Sequence, residues 1–152
     1  MKFAELYEGQ LIRLGPKTIT ADEIVAFARE FDPQWFHTDP QRARNGRWQG
    51  LIASGWHSCG IAMRMIVEGI LGDSESFASP GMNYLKWSAP VRPGDRLRVE
   101  VVVLERKVSS SGSTGSVLWV WRMFNQDDVM VLELEATNLF ELGRRAGPTT
   151  GL

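Results

Sequence analysis

Polar and apolar residues alternate with a period of two through much of the second half of the chain. Leu97, Val99, Val101 and Val103 are interleaved with Arg96, Arg98 and Glu100. Met130, Leu132, Leu134 and Ala136 are interleaved with Val131, Glu133, Glu135 and Thr137. That period sends alternate side chains to opposite faces of a sheet, so both runs are predicted strands. Val117 to Phe124 is apolar on both faces apart from Arg122, which suits a central strand. Ser79 to Trp87 is predicted as a further strand, closed by the turn Pro90-Val91-Arg92-Pro93-Gly94-Asp95. Leu11 to Ile19 adds an edge strand, and Ser109 to Gly115 reads as a hairpin tip.

The first half changes period. Thr20-Ala21-Asp22-Glu23 has the form of a capping box, in which Thr20 bonds the amide of Glu23 and Glu23 reaches back. Ile24, Phe27, Ala28 and Phe31 then share one helical face. Pro33 disfavours helix at Asp32, so this helix ends there. Asp39-Pro40 starts a second, short basic helix through Arg47, with Pro40 at its first position. From Trp56 to Leu71 the polar residues are only His57, Ser58, Arg64 and Glu68. A helix apolar on most sides is predicted to be buried. One long buried helix plus an antiparallel sheet is an α+β layer architecture. A sheet that curls around its own helix accounts for apolar residues nearly all the way round.

Length and composition add limits. A chain of 152 residues is one ordinary domain, expected over residues 1–142, with a polar, Gly-rich tail over 143–152. Seventeen basic against 18 acidic residues give a net charge of −1, which leaves no electrostatic footprint for nucleic acid. The single Cys59 excludes an internal disulfide, and two histidines are too few to suggest a zinc cluster. No apolar run is long enough to span a membrane, and the N-terminus lacks the apolar stretch of a signal peptide. A cytoplasmic setting is therefore expected. Six tryptophans, costly to leave wet, point to a deep cleft or a subunit interface.

Candidate chemistry centres on Asp32-Pro33-Gln34-Trp35-Phe36-His37. On a continuous helix, five steps would leave Asp32 and His37 roughly 140° apart. The break at Pro33 allows them to converge. A carboxylate beside an imidazole is a general acid/base pair. Spacing alone leaves open the commoner reading, in which Asp32 ends a helix and His37 is a satisfied loop histidine.

Phe27 to Ala43 resembles the hydratase signature of the MaoC-like acyl dehydratases. Phe27 matches the aromatic residue, Asp32 the acid, His37 the histidine five positions on, and Ala43 the small residue that follows. Gly50 to His57 resembles the family's entry into its central helix. Ser79-Pro80-Gly81 to Trp87, with the turn ending at Asp95, resembles the strand and turn that come next. The resemblance implies a hot-dog fold, with an antiparallel sheet wrapped around one long central helix and two subunits joined edge to edge. It implies an acyl-CoA or acyl-carrier thioester as substrate, coenzyme A entering only as part of that substrate and no separate cofactor. The implied reaction is water addition to a 2-enoyl thioester, or its reverse. Asp32 and His37 would hold the water and move its proton, and a backbone N–H at Gly55 would polarise the thioester carbonyl.

Gln34, Trp35, Phe36, Ser54, Gly55, Trp56 and His57 complete the candidate substrate-binding set. The family's glycine, asparagine and proline are replaced by Phe31, Gln34 and Trp35. Trp35 and Phe36 are bulkier than the family's residues and are expected to narrow or reshape the pocket. The helix position that carries a serine in some relatives is Met63, so no such serine is expected beside the pair. Ser54 is read as a helix N-cap, and Gly55 alternatively as a turn needing positive φ. His57 either enters the cleft or bonds a loop. Cys59 reads as core and Arg64–Glu68 as an intrahelical pair. Arg92, Arg96 and Arg98 belong to a solvated edge or reach CoA phosphates. Two other functions stay in view: a hot-dog thioesterase, and an acyl-CoA binding module with weak or no turnover.

Overall fold

The computed structural model describes residues 1–143. The expectation of a loose tail falls on residues beyond these, apart from Gly143. Five strands form one antiparallel sheet: β1 (Leu11–Thr18), β2 (Ser76–Trp87), β3 (Arg96–Val108), β4 (Thr114–Phe124) and β5 (Met130–Glu141), in the order β1-β3-β4-β5-β2. The alternation sets the register. Val101 lies opposite Trp121, and Trp121 opposite Leu134. Leu97, Val99, Val101, Leu132, Leu134, Trp119 and Met123 thus share the inner face and are all buried. The outer face carries charge: Arg122 Nε lies 2.6 Å from Glu133 Oε2. The central position predicted for Val117–Phe124 is that of β4.

Four α-helices lie on one side: α1 (Ala21–Phe31), α2 (Trp35–Thr38), α3 (Pro40–Arg44) and α4 (Gly55–Ile66), the last continued by a π-helical turn, Val67–Leu71. In α1, Thr20 Oγ1 accepts the Glu23 amide at 3.2 Å and Glu23 Oε2 accepts the Thr20 amide at 2.9 Å. Removing that cap should destabilise the protein. Thr20→Ala is expected to cost about 1 kcal/mol in chemical denaturation, and unchanged stability would show the cap to be redundant. Ile24 and Ala28 are buried, but Phe31 is exposed; it tilts against Phe27 at 5.1 Å instead of entering the core. The α3 helix stops at Arg44, three residues earlier than expected, because Asn45 leaves helical geometry at φ −96°, ψ 3°.

Ile61, Ala62, Met65 and Ile66 of α4 sit in the same core cluster as the inner face of the sheet. The helix is not covered all round. Trp56, Met63 and Val67 remain exposed on its far side. The edge strand β2 is exposed along Phe77 to Asn83, and Phe77 and Met82 are large apolar residues at 56% and 49% exposure. An apolar helix face beside an unpaired strand edge is a surface that calls for a cover.

Candidate active site

The turn after α1 brings the acid and the histidine together. Asp32 is the C-cap of α1 in non-helical geometry, φ −154° and ψ 68°. Three residues later α2 begins, and its third residue, His37, faces inward with 4% exposure. Asp32 Oδ2 lies 3.3 Å from His37 Nε2.

Each member of the pair is held by further bonds. His37 Nδ1 sits 2.7 Å from the Ile52 carbonyl oxygen. A carbonyl only accepts, so Nδ1 carries the hydrogen, and Nε2 is the nitrogen that gains or loses a proton beside Asp32. Asp32 accepts from Ser54 Oγ at 2.7 Å on one oxygen and from Gln34 Nε2 at 2.9 Å on the other. Burial pushes the Asp32 carboxyl upward. The bonds from Ser54 and Gln34, with His37 alongside, outweigh it and hold the group below the usual carboxylate range. Asp32 is therefore an anion at neutral pH.

The pair opens into a cleft of about 450 Å³. Asp32, Gln34 and His37 form one end of its wall. Gly55, Trp56 and Ser58 come from the first turn of α4. Trp48, Trp87, the segment Ser88-Ala89-Pro90-Val91 and Val131 close the remainder. Gly55 is the first residue of α4. The first amides of any helix have no acceptor within it, and Ser58 is the first in this turn to bond back, to the Ser54 carbonyl at 3.2 Å. An unpaired N–H at the positive end of the helix dipole thus borders the cleft. Gly55 is not a positive-φ position. A Cβ there would collide with the Trp87 ring, whose Nε1 donates to the Gly55 carbonyl at 3.0 Å. Close approach of an aromatic ring, not turn geometry, requires glycine.

Several sequence-based placements need correction. Trp35 and Phe36 do not line the cleft. Trp35 packs over Gly46 and under Arg42, whose guanidinium carbon is 4.6 Å from the ring centroid, and Phe36 meets Trp35 edge-on at 5.5 Å. The pocket is therefore not narrowed by them. His57 also turns away: it stacks on Phe27 at 4.6 Å with its ring nearly parallel, and burial lowers its basicity. Ser54 occupies the N-cap position of α4 but makes no side-chain cap bond, because its hydroxyl is spent on Asp32. A serine does reach the acid after all, from the turn before the helix and not from the Met63 position. Cys59 is half-buried in the wall of a second cavity. Arg64 and Glu68 pair at 2.7 Å as expected, on the surface. Arg98, near the start of the interior strand β3, is engaged by Glu100 and Asp128. The aromatic walls Trp48 and Trp87, with Ser88 to Val91 and Val131, were missed, since they come from distant segments that only the fold assembles.

No helix among the described residues is long and apolar enough to cross a membrane. Among the same residues, no group of three or more His, Cys, Asp or Glu could hold a metal ion.

An antiparallel sheet packed against one long helix defines a hot-dog protein, and the Asp–His pair shares a cleft with the first turn of that helix. The MaoC like domain model matches residues 3–118, and the chain belongs to that family. It is 34% identical over 142 residues to the uncharacterized protein YdeM of Bacillus subtilis, covering 93% of this chain and 99% of YdeM. Over 87 residues it is 33% identical to 3-hydroxyacyl-thioester dehydratase Z of Mycobacterium tuberculosis, covering 53% of this chain and 55% of that protein. The crystal structure of the MaoC-like dehydratase from Rhodospirillum rubrum superposes with a TM-score of 0.83 at 35% identity, covering 95% of this chain and 97% of that one.

Proposed function

We propose that the protein adds water to, or removes it from, an acyl thioester, acting on a 2-enoyl thioester in one direction and a 3-hydroxyacyl thioester in the other. The supporting observation is the single-tautomer His37 beside the ionised Asp32, in a cleft that also borders the free amide end of α4. The relatives named as dehydratases agree with this reading in reaction type.

In the hydration direction, a water molecule on the cleft side is held by both Asp32 Oδ2 and His37 Nε2. Its oxygen attacks the β-carbon while Nε2 accepts its proton. Negative charge passes through the α-carbon onto the thioester oxygen, where the Gly55 amide at the helix N-terminus stabilises it. The imidazolium then returns its proton to the α-carbon. Asp32 orients the water and stabilises the imidazolium, a role that requires it to stay ionised. The product carries one added hydroxyl and one added hydrogen, so nothing beyond water is consumed. Hydration of short 2-enoyl-CoA thioesters, followed by loss of enoyl-thioester absorbance, tests the assignment. Absence of turnover across a broad chain-length panel would remove it. The thioesterase reading lacks support here, because Glu68 is exposed and paired with Arg64.

Homodimerisation belongs to the same proposal. Phe77 and Met82 on edge strand β2, beside Met63 and Val67 of the central helix region, form the surface that pairing of two β2 edges would cover. Met82→Arg is expected to convert a dimer to a monomer in sedimentation velocity. A wild-type protein that sediments as a monomer would exclude this interface. A cytoplasmic location is likewise proposed, and cell fractionation tests it.

A further inference from the structure

The polar side chains in the wall of the catalytic cleft are nearly all engaged. Asp32 takes Ser54 and Gln34, His37 Nδ1 is bonded to the Ile52 carbonyl, and Trp87 Nε1 donates to the Gly55 carbonyl. Trp48, Trp56 and Ser88 are exposed to solvent. Ser58 differs from all of these. It lines the cleft at 3% exposure. Its amide bonds the Ser54 carbonyl at 3.2 Å, and its hydroxyl has no partner among the described residues. Two side-chain atoms among those residues are both sealed from solvent and unpaired, His57 Nδ1 and Trp121 Nε1. The Ser58 oxygen is not one of them, so it keeps an opening, and the cleft is the space it borders.

Helix geometry sets the direction of that hydroxyl. Ser54, the residue before α4, and Ser58 stand four apart and share a face. Ser54 uses that face to reach Asp32. Gly55 and Ser58 stand three apart, which places them about 60° round the helix and about 4.5 Å along it. A helical Cα–Cβ bond tilts toward the N-terminus, so the Ser58 hydroxyl leans back over the first turn, toward the free Gly55 amide. A spare hydroxyl and a spare amide thus border the cleft on the turn that faces the acid/base pair.

The two ends of the reaction ask for different partners. The attacking water needs acceptors for its protons, and Asp32 Oδ2 and His37 Nε2 supply both. The thioester oxygen needs donors, because negative charge gathers on it, and it has lone pairs for more than one. The Gly55 amide offers one donor. Asp32 is already supplied by Ser54 and Gln34, so the unengaged hydroxyl on the Gly55 turn is left to serve the thioester oxygen.

We propose that the Ser58 hydroxyl is a catalytic donor to the thioester oxygen, forming with the Gly55 amide a two-point oxyanion site. This rests on the hydratase reading above. The hydroxyl keeps its proton throughout. No covalent bond forms or breaks at Ser58, and the proton cycle stays with His37.

The experiment has two arms. Ser58→Ala removes the donor, and alanine is the better helix former, so the fold should survive. With a short 2-enoyl-CoA, kcat should fall roughly a hundredfold, the loss that follows removal of one donor from a developing oxyanion. KM should change little. The fall should be the same factor at every pH, because Ser58 donates to neither Asp32 nor His37. An unchanged kcat would overturn the proposal. An acid limb shifted in Ser58→Ala would make the serine a support of Asp32, and would overturn it too.

The second arm reads the contact without turnover. A saturated short-chain acyl-CoA, labelled with carbon-13 at the thioester carbonyl, is bound at saturation to the wild type and to Ser58→Ala. A hydrogen bond to the oxygen moves the carbonyl resonance downfield. The resonance should therefore lie further downfield on the wild type than on the variant. Equal positions would overturn the contact. If no enoyl thioester is turned over but the labelled carbonyl responds to the substitution, the hydratase reading falls while the Ser58 contact stands. If the wild type hydrates the enoyl thioester and Ser58→Ala does so equally well, the hydratase reading stands and the role of Ser58 falls.

Discussion

Asp32→Asn is expected to lower turnover of a 2-enoyl thioester by roughly 10²–10⁴-fold, the range that one positioned acid/base group supplies. Asparagine keeps the shape of the side chain and can still accept from Ser54, so the fold should survive. It loses the charge. A neutral amide cannot stabilise the imidazolium that forms when His37 takes the proton from water. The loss should therefore appear mainly in kcat. His37→Gln should be equally severe, because it removes the atom that holds the proton. The two groups work on one proton, so their effects should not add: the double variant should be little worse than either single one. Full activity in Asp32→Asn would show that the carboxylate only terminates α1. Circular dichroism and thermal unfolding of the variants separate lost chemistry from lost structure.

That an acid/base pair was legible in the sequence at all depends on Pro33. It ends α1 and forces the chain to turn within five residues, so a linear motif became a spatial one. Strands β3 and β5 were legible for a simpler reason: each has one buried and one wetter face, and a two-residue period records that directly. Sequence proximity to the motif misled where helical geometry intervenes. In α2, His37 faces inward, and successive residues turn by about 100°, so Phe36 and Trp35 leave on other sides. Trp35 packs on Gly46 and Arg42, Phe36 meets Trp35 edge-on, and neither borders the cleft. His57 was misplaced for the same reason, because α4 turns it onto Phe27 while its neighbours Trp56 and Ser58 border the cleft. Trp87 could not have been found this way. It comes from the end of β2, and only sheet curvature over the N-terminus of α4 sets its ring on Gly55. The exposed side of α4 also escaped the pattern, since an apolar residue left on the surface looks the same in sequence as one in the core.

Ser54→Ala is expected to reduce kcat by roughly ten- to a hundredfold, the loss of one hydrogen bond to a charged group, about 1.5–3 kcal/mol. Ser54 is fully buried and its hydroxyl reaches Asp32 at 2.7 Å. It touches no reacting atom, so it acts by positioning Asp32 and keeping it ionised. The pH profile distinguishes this from a merely structural role. Asp32 is held below its ordinary value in the folded protein, with burial working against the bonds from Ser54 and Gln34. A depressed carboxyl contributes stability above its unfolded value and loses it as pH falls through the folded value. Removing Ser54 takes away the first of the groups that oppose burial, so the folded value must rise. The acid limb of kcat/KM should move to higher pH. The stability contributed by the ionised carboxylate should likewise be lost at a higher pH than in the wild type, with the alkaline side of both profiles unchanged. A variant whose rate falls by the same factor at every pH would show that Ser54 only fills space. An acid limb shifted upward, with the rate partly restored at higher pH, identifies the serine as the group that keeps Asp32 charged beside His37.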